Sequence, residues 1–404
     1  MDDQINRTVA WQLMRMGLKR YIPSRRGLEQ GVRRVVVSCL VAAICVAAGC
    51  NQSPIANRPA DQQQQTVNQP AANVSGSQPP AHDSYDFTSI DDLLARIARR
   101  HGGCALVVIK DEKVIYRKGS GSYGPDTVVP VASASKWLAG AVVMSLVDDG
   151  KLSLDDQVSK YVPEFTGAKS SITIRQLFAH TSGLPPEAAC RNDKRTTLER
   201  CLSEIARLNL RAAPGQEFFY GGVSMHVGGR IAEIVSGKSW NDLFVERVAA
   251  PLGMSRTDFF AYGPTSNPRP AGDARSSAEE YSRFLQMLLQ RGSFDGKRIL
   301  TEASVLEMHK DQTAGAHIAY TIYEKHAALD PKLPLARYGV GVWRERADET
   351  GRLLETSSQG ALGFSPWIDV ERNLAGVLLV RASFSRALPD YLAVKDEIRR
   401  IVSK

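Results

Sequence analysis

The sequence predicts an α+β fold in which an antiparallel sheet is flanked by helices and carries an inserted helical subdomain. Three observations lead there. Short β-rich runs occupy both ends of the folded part, near residues 105–118 and again from 338 to 381. The block between them, about 151–270, has helical periodicity almost throughout. The chain is 404 residues long, with 43% hydrophobic and 23% charged residues, which is enough apolar material for a large core. Strands at both ends of a helical middle close most simply into one sheet.

Residues 1–49 hold eight Lys/Arg and three Asp/Glu, so five of the eight net positive charges lie there. The remainder is close to neutral, which argues against a nucleic-acid surface. An apolar run at 35–49 follows Arg33-Arg34 and ends at Cys50. It is shorter than the ~20 residues of a spanning helix and reads as a signal segment. Its VAAGC ending resembles a bacterial lipobox, in which Cys50 would be lipidated; an uncleaved anchor or an ordinary cleaved signal are the alternatives. Asn51, where Asp would signal inner-membrane retention, favours the outer membrane of a Gram-negative host. Residues 50–85 are Gln, Pro, Ala and Ser, too polar to bury a core, and read as a disordered tether. The expectation is an exported domain, 86–404, held at the periplasmic face of a membrane by its lipid.

Within that domain, 90–101 has helical spacing with Asp91-Asp92 in its first turn. Runs at 105–109 and 113–118 read as a hairpin turning at Lys110-Asp111-Glu112. Gly119 to Gly124 spells G-x-G-x-x-G, but Pro125 and Pro130 follow where a dinucleotide site needs a helix, so it reads as a flexible connection. Residues 137–147 are apolar at nearly every position and predict a helix buried all round, stopped by Gly150. Further helices are expected at 172–180, 198–210, 223–236, 240–248 and 278–291. Strands are expected at 339–344, 352–356, 363–369 and 374–381, with a closing helix at 389–403.

Chemistry concentrates at the start of the buried helix. Ser133 and Lys136 are three residues apart and share a helix face. A desolvated lysine can lose its proton and act as a base, and a serine at a helix N-terminus can attack a carbonyl. The competing reading makes Ser133 an N-cap and Lys136 a snorkelling surface lysine. G-x-S-x-G and H-E-x-x-H are both absent, and His180, before Thr181-Ser182-Gly183, reads as structural. Cys190 and Cys201 are a possible disulfide in an exported protein, and Cys104 reads as a buried thiol. No Cys/His spacing reads as a metal site, and no cofactor is implied.

VASASK (131–136), DDGKLSLDDQVSKYVPEF (148–165), ITIRQLFAHTSGLP (172–185), PGQEFFYGG (214–222), APLGM (250–254) and SSQGALGF (357–364) stand in one order. In that order they resemble the serine beta-lactamase-related hydrolases: class C beta-lactamases, D-Ala-D-Ala carboxypeptidases and the esterases built like them. The resemblance implies a beta-lactamase/transpeptidase-like fold with Ser133 as nucleophile and Lys136 as its partner. Tyr220 would serve as phenolate or proton shuttle, its pKa lowered by Lys136. Backbone N–H groups of Ser133 and Ala361 would form the oxyanion hole. Gly222 and Ser358-Gln359-Gly360 fall at the substrate-binding positions and depart from the family pattern. Gly222 replaces the Asn of Tyr-x-Asn, and Ser358 stands where Lys or His would meet a carboxylate, leaving Arg381 on a nearby strand as candidate substitute. Those losses favour an ester over a beta-lactam or D-amino-acid peptide as the small-molecule substrate. A catalytically silent binding lipoprotein on the same fold is the remaining alternative.

Overall fold

The computed structural model describes residues 85–403; the leader (1–49), Cys50 and the tether up to residue 84 lie outside the described residues. The first helix, α1 (Thr88–His101), buries Ile90, Leu94, Ile97 and Ala98, the stripe that one face of a helix presents. Arg99, Arg100 and His101 complement the dipole in its last turn, and Gly102 ends it at φ 87°.

Seven strands form the main sheet: β1 (Gly103–Lys110), β2 (Lys113–Gly121), β3 (Arg337–Tyr338), β4 (Trp343–Ala347), β5 (Leu353–Ser357), β6 (Phe364–Asp369) and β7 (Leu374–Val380). Their order is β2-β1-β7-β6-β5-β4-β3, antiparallel throughout. β1 pairs Cys104 with Val380 and Lys110 with Leu374, so the first hairpin zips onto the last strand. Everything between them leaves the sheet and returns to it.

The intervening helices are α2 (Ser135–Asp148), α3 (Ile174–Phe178), α4 (Leu198–Ala206), α5 (Val223–Ser236), α6 (Trp240–Phe244), α7 (Ala278–Leu289) and α8 (Glu302–His309). A long closing helix, α9 (Phe384–Val402), follows β7. Period-two alternation along β1 then sorts the core. Cys104, Leu106 and Val108 pack with α1 and α9, while Ala105, Val107 and Ile109 pack with α2 and α7. Both sheet faces are covered, which is why β7 is an apolar run throughout and β1 is apolar up to its last residue, Lys110.

Several expectations shift on the structure. Gly119 and Gly121 belong to β2 rather than to a flexible connection; a Cβ on Gly119 would lie 2.3 Å from the Tyr123 carbonyl oxygen, so the glycine permits a tight fold-back. Residues 339–342 are a turn between β3 and β4, closed by Gly339 N–H donating to the Val342 carbonyl, and not the start of a strand. Helix α4 ends at Ala206 and α9 begins at Phe384, with Pro389 inside it. Helix α8 has no signature in the sequence, because it buries only Ser304, Val305 and Met308 and shows no clear apolar stripe.

Two contacts fix α2 against the sheet at backbone level. A Cβ on Gly140 would lie 2.3 Å from the Val340 carbonyl oxygen, and one on Gly341 would lie 2.2 Å from that of Lys136. On the other face, α9 buries Lys395 between Glu345 (2.5 Å) and Glu355 (2.6 Å), beside the Tyr391 hydroxyl. Burial alone would raise the Glu355 pKa, but the charges of Lys395 and Arg399 outweigh it and hold the carboxyl well below its ordinary range.

Candidate active site

Ser133 sits in a single 3-10 turn, 132–134, that feeds directly into α2. Ala132 adopts φ 47°, a conformation uncommon outside glycine, so the turn needs support. Each of its carbonyls receives a hydroxyl. Ser135 Oγ donates to Ala132 O (2.6 Å), Ser358 Oγ to Ser133 O (3.1 Å) and Tyr281 Oη to Ala134 O (2.7 Å). Ser135 Oγ also accepts from Ala274 N–H at 3.0 Å. Residues from α2, α7 and the end of β5 thus hold one serine in place.

Lys136 lies one residue into α2 and is 3% exposed. Its Nζ donates to Ser133 Oγ at 3.1 Å and to the Ala271 carbonyl at 2.9 Å. No carboxylate pairs with it. Burial disfavours the ammonium form first, and the charges of Arg191 and Arg269 add to the effect while Glu187 opposes it. Together they bring the Lys136 pKa down to about 7. The snorkelling alternative is thereby excluded, since the amine points inward.

Tyr220 arrives from the other side. A short strand, Glu217–Phe219, pairs in parallel with His317–Tyr320, and Tyr220 N–H donates to the Tyr320 carbonyl at 3.3 Å. The Tyr220 ring stacks on Trp343 at 5.0 Å and meets His180 at 4.8 Å; Lys136 Nζ stands 4.6 Å from its centroid. The expected lowering of its pKa is overturned. Burial raises the phenol above its ordinary value, and interaction with Ser133 and Trp343 only partly offsets this. Tyr220 therefore keeps its proton near neutral pH, while Lys136 is the group able to be neutral.

His180 is buried within this aromatic set, against Tyr220 and Tyr338, at φ 58°. Neither ring nitrogen has a partner among the described residues, and burial followed by the Lys136 charge drives its pKa well down. It is a neutral packing element, as its sequence setting indicates.

The opposite wall is the segment after β5. A Cβ on Gly360 would lie 2.3 Å from the Val131 carbonyl oxygen, so this backbone presses directly on the residue that precedes the serine turn; Ala361 follows it in sequence, and its carbonyl accepts from Phe384 N–H. Ser358 and Gln359 are each 2% exposed and point into the protein rather than toward solvent. Arg381 is exposed, with its guanidinium beside Gly102 at the α1–β1 corner, and it makes no contact with Ser133, Lys136 or Tyr220.

Gly222 is the N-cap of α5, two residues beyond Tyr220. The place a side chain would take there is filled: a Cβ on Gly222 would lie 1.9 Å from Nη2 of Arg191. Arg191 comes from a turn, Ala189–Asn192, fastened by a disulfide between Cys190 and Cys201. Nothing local in the sequence marks this arginine, because the contact joins positions 191 and 222 from separate helical segments. Cys104 is a buried free thiol whose Sγ donates to the Leu94 carbonyl.

A half-buried serine bonded to a buried lysine, with a protonated phenol beside them, makes a set that can take a proton from the hydroxyl and return one to a leaving group. Comparison with known proteins agrees with that chemistry. A model of the Beta-lactamase family matches residues 90–396. This chain belongs to the beta-lactamase family. A Bacteroides dorei DSM 17855 protein assigned to the beta-lactamases superposes with a TM-score of 0.71 at 34% identity, over 80% of this chain and 100% of that one. EstCE1, a hydrolase with promiscuous acyltransferase activity, superposes with a TM-score of 0.62 at 21% identity, over 77% of this chain and all of that one, a likeness of fold. Protein flp of Staphylococcus aureus (strain COL) is 31% identical over 173 residues, 39% of this chain and 34% of its own length. The D-alanyl-D-alanine-carboxypeptidase/endopeptidase AmpH of Escherichia coli (strain K12) is 29% identical over 211 residues, 46% of this chain and 53% of its own. The matches thus span about a third to a half of these two curated relatives. The fold is that of the serine hydrolases of this family, whose neighbours include esterases, amidohydrolases and carboxypeptidases.

Proposed function

We propose that this chain is an exported serine hydrolase that works through a Ser133 acyl-enzyme, with esters as its preferred substrates. The observation that carries the reading is Lys136 Nζ, buried without a carboxylate and 3.1 Å from Ser133 Oγ. The neutral amine takes the serine proton as Oγ bonds to the acyl carbon. The C–O bond to the leaving alcohol breaks, and that alkoxide receives its proton from Tyr220, which Lys136 reprotonates. Water then repeats the attack and releases the acid. The N–H groups of Ser133 and Ala361 stabilise the tetrahedral oxyanion. Esters need less leaving-group assistance than amides, and the bare Gly222 and inward-facing Ser358 offer little to a penicillin or D-peptide. The likeness to AmpH favours cell-wall peptides as the second reading. Export to an oxidising compartment accounts for the Cys190–Cys201 bridge, and lipidation of Cys50 for the leader.

The test is intact-protein mass after p-nitrophenyl acetate, a fluorescent penicillin and a fluorophosphonate, for wild type and Ser133→Ala. Labelling by the ester and the phosphonate, absent in Ser133→Ala, supports the reading. Equal labelling of both proteins would remove Ser133 as nucleophile. Penicillin labelling without ester turnover would move the substrate to cell-wall peptides, and silence with all three would indicate a binding protein.

A further inference from the structure

The sequence lacks a cation where relatives meet a substrate carboxylate, yet the fold delivers one from elsewhere. The Arg191 guanidinium lies against Gly222, two residues from Tyr220, and its charge is the largest charge effect acting on Lys136. Arg191 is 7% exposed. Its Nη1 donates to Glu187 Oε2 at 2.6 Å, while Nε is buried without a partner and no acceptor meets Nη2 among the described residues. A guanidinium has five N–H donors in a planar fork, and leaving several empty in a buried place is costly unless a ligand fills them.

The surroundings are built to hold this one residue. Its turn is closed by the Cys190–Cys201 disulfide. Asn267 Nδ2 donates to the carbonyls of Cys190 (2.9 Å) and Asp193 (3.1 Å), and Asn267 Oδ1 is itself bonded by His226 Nε2 at 2.9 Å. The other nearby cation, Arg269, is already committed to Asp273, with Nε to Oδ1 at 2.7 Å. Glu187, by contrast, has a side chain that is 70% exposed, and its side-chain partner among the described residues is Arg191, so it can turn into solvent once that bond is replaced. A carboxylate thus already meets Arg191 from an exposed side chain, through a single charge-assisted hydrogen bond that leaves the rest of the guanidinium fork open.

We propose that Arg191 is a specificity-determining residue of this site, reading a carboxylate on the substrate near its scissile carbonyl, with Glu187 as the stand-in that the substrate displaces. This rests on the Ser133 reading above and narrows it from esters in general to carboxylate-bearing esters. Gly222 is then the condition for the guanidinium's presence, since any side chain there would push it out.

Two pairs of substrates test it. Mono-p-nitrophenyl succinate against p-nitrophenyl butyrate places the carboxylate on the acyl side. A 4-carboxyphenyl acetate against 4-methylphenyl acetate places it on the leaving group. Wild type is expected to favour the carboxylate member of one pair by at least about tenfold in kcat/KM, read mainly in KM. That preference is expected to collapse in Arg191→Gln and in Gly222→Asn, two variants that remove the contact from opposite sides. The pair that shows it tells which side of the carbonyl Arg191 faces. A wild type indifferent to the carboxylate in both pairs overturns the proposal without need of any variant, and so does a preference that survives both substitutions. Ser133→Ala run alongside separates the cases: Ser133-dependent turnover with no carboxylate preference removes only Arg191's role, while turnover that persists in Ser133→Ala removes the acyl-enzyme reading and Arg191's role with it.

Discussion

Two lysines are buried among the described residues, and their surroundings differ in kind. Lys395 lies between Glu345 and Glu355 with Tyr391 alongside. Its charge is matched twice over, and it ties α9 to the sheet. Lys136 has a serine hydroxyl, a backbone carbonyl and an aromatic face, and no carboxylate at all. Both are almost wholly removed from water. One environment uses its lysine to tie a helix to the sheet. The other makes the ammonium unstable enough to give up its proton near neutrality. Burial by itself therefore does not mark a reactive lysine; burial without a counter-charge does.

Removing each lysine breaks the contrast most directly. Lys136→Met should lower kcat/KM for p-nitrophenyl acetate by about 10²–10⁴, the span usual for loss of a general base. Lys395→Met should instead cost about 3–5 kcal/mol of stability, because Glu345 is left buried without a cation while Glu355 keeps only Arg399 and Arg346; urea unfolding measures it. A stable Lys395→Met protein would contradict the structural role given to that ion pair. Tyr220→Phe keeps the stacking on Trp343 and removes only the hydroxyl, so a loss of about 10–100-fold is expected, smaller than that of Lys136→Met. The wild-type pH profile sharpens the assignment further. Rates in kcat/KM should rise about tenfold per pH unit on the acid side and level off above about 7, where Lys136 becomes neutral. A limb rising instead near pH 10 would point to the Tyr220 phenolate as the base.

The smallest effect is on stability. Lys136 binds its proton less tightly folded than unfolded, so at pH 6, where both forms are charged, the native state carries the full cost of the buried charge. Lys136→Met should therefore be more stable than wild type at pH 6, by ~1–3 kcal/mol after the unpaired Ala271 carbonyl is counted. The advantage should shrink as pH rises from about 7 towards 10.5, as the native lysine loses its proton first. Thermal melts of the two proteins at pH 6 and pH 9 give the comparison.

What could be read from the chain divides along the same line between local and distant. The Ser133–Lys136 spacing, the all-apolar α2 and the hairpin at Asp111-Glu112 are short-range patterns, and they appear in the structure where the residues place them. Helix α9 starts five residues before Pro389, the residue that marks a first turn in the sequence, because tertiary packing carries the helix past the proline. The Tyr220 error was of another sort. A nearby lysine suggested a lowered pKa, but the enclosure by His180, Tyr338 and Trp343 decides the sign, and those rings come from three separate segments. Arg191 was illegible for the same reason. Its meaning depends on a missing Cβ thirty-one positions away.

The backbone contacts at Gly140 and Gly341 bear on how such a site can change over generations. Nearly any substitution at these two positions drives a side chain into a carbonyl, so the interior wall behind Lys136 has almost no neighbouring sequences open to it. The wall made by residues 186–192 is different: it touches Gly221 and Gly222 through Pro186 and the guanidinium of Arg191, and is secured by one covalent link and one asparagine. Innovation in what this protein accepts is channelled to that loop, where a single codon can replace the group facing the substrate while the reacting atoms stay where they are.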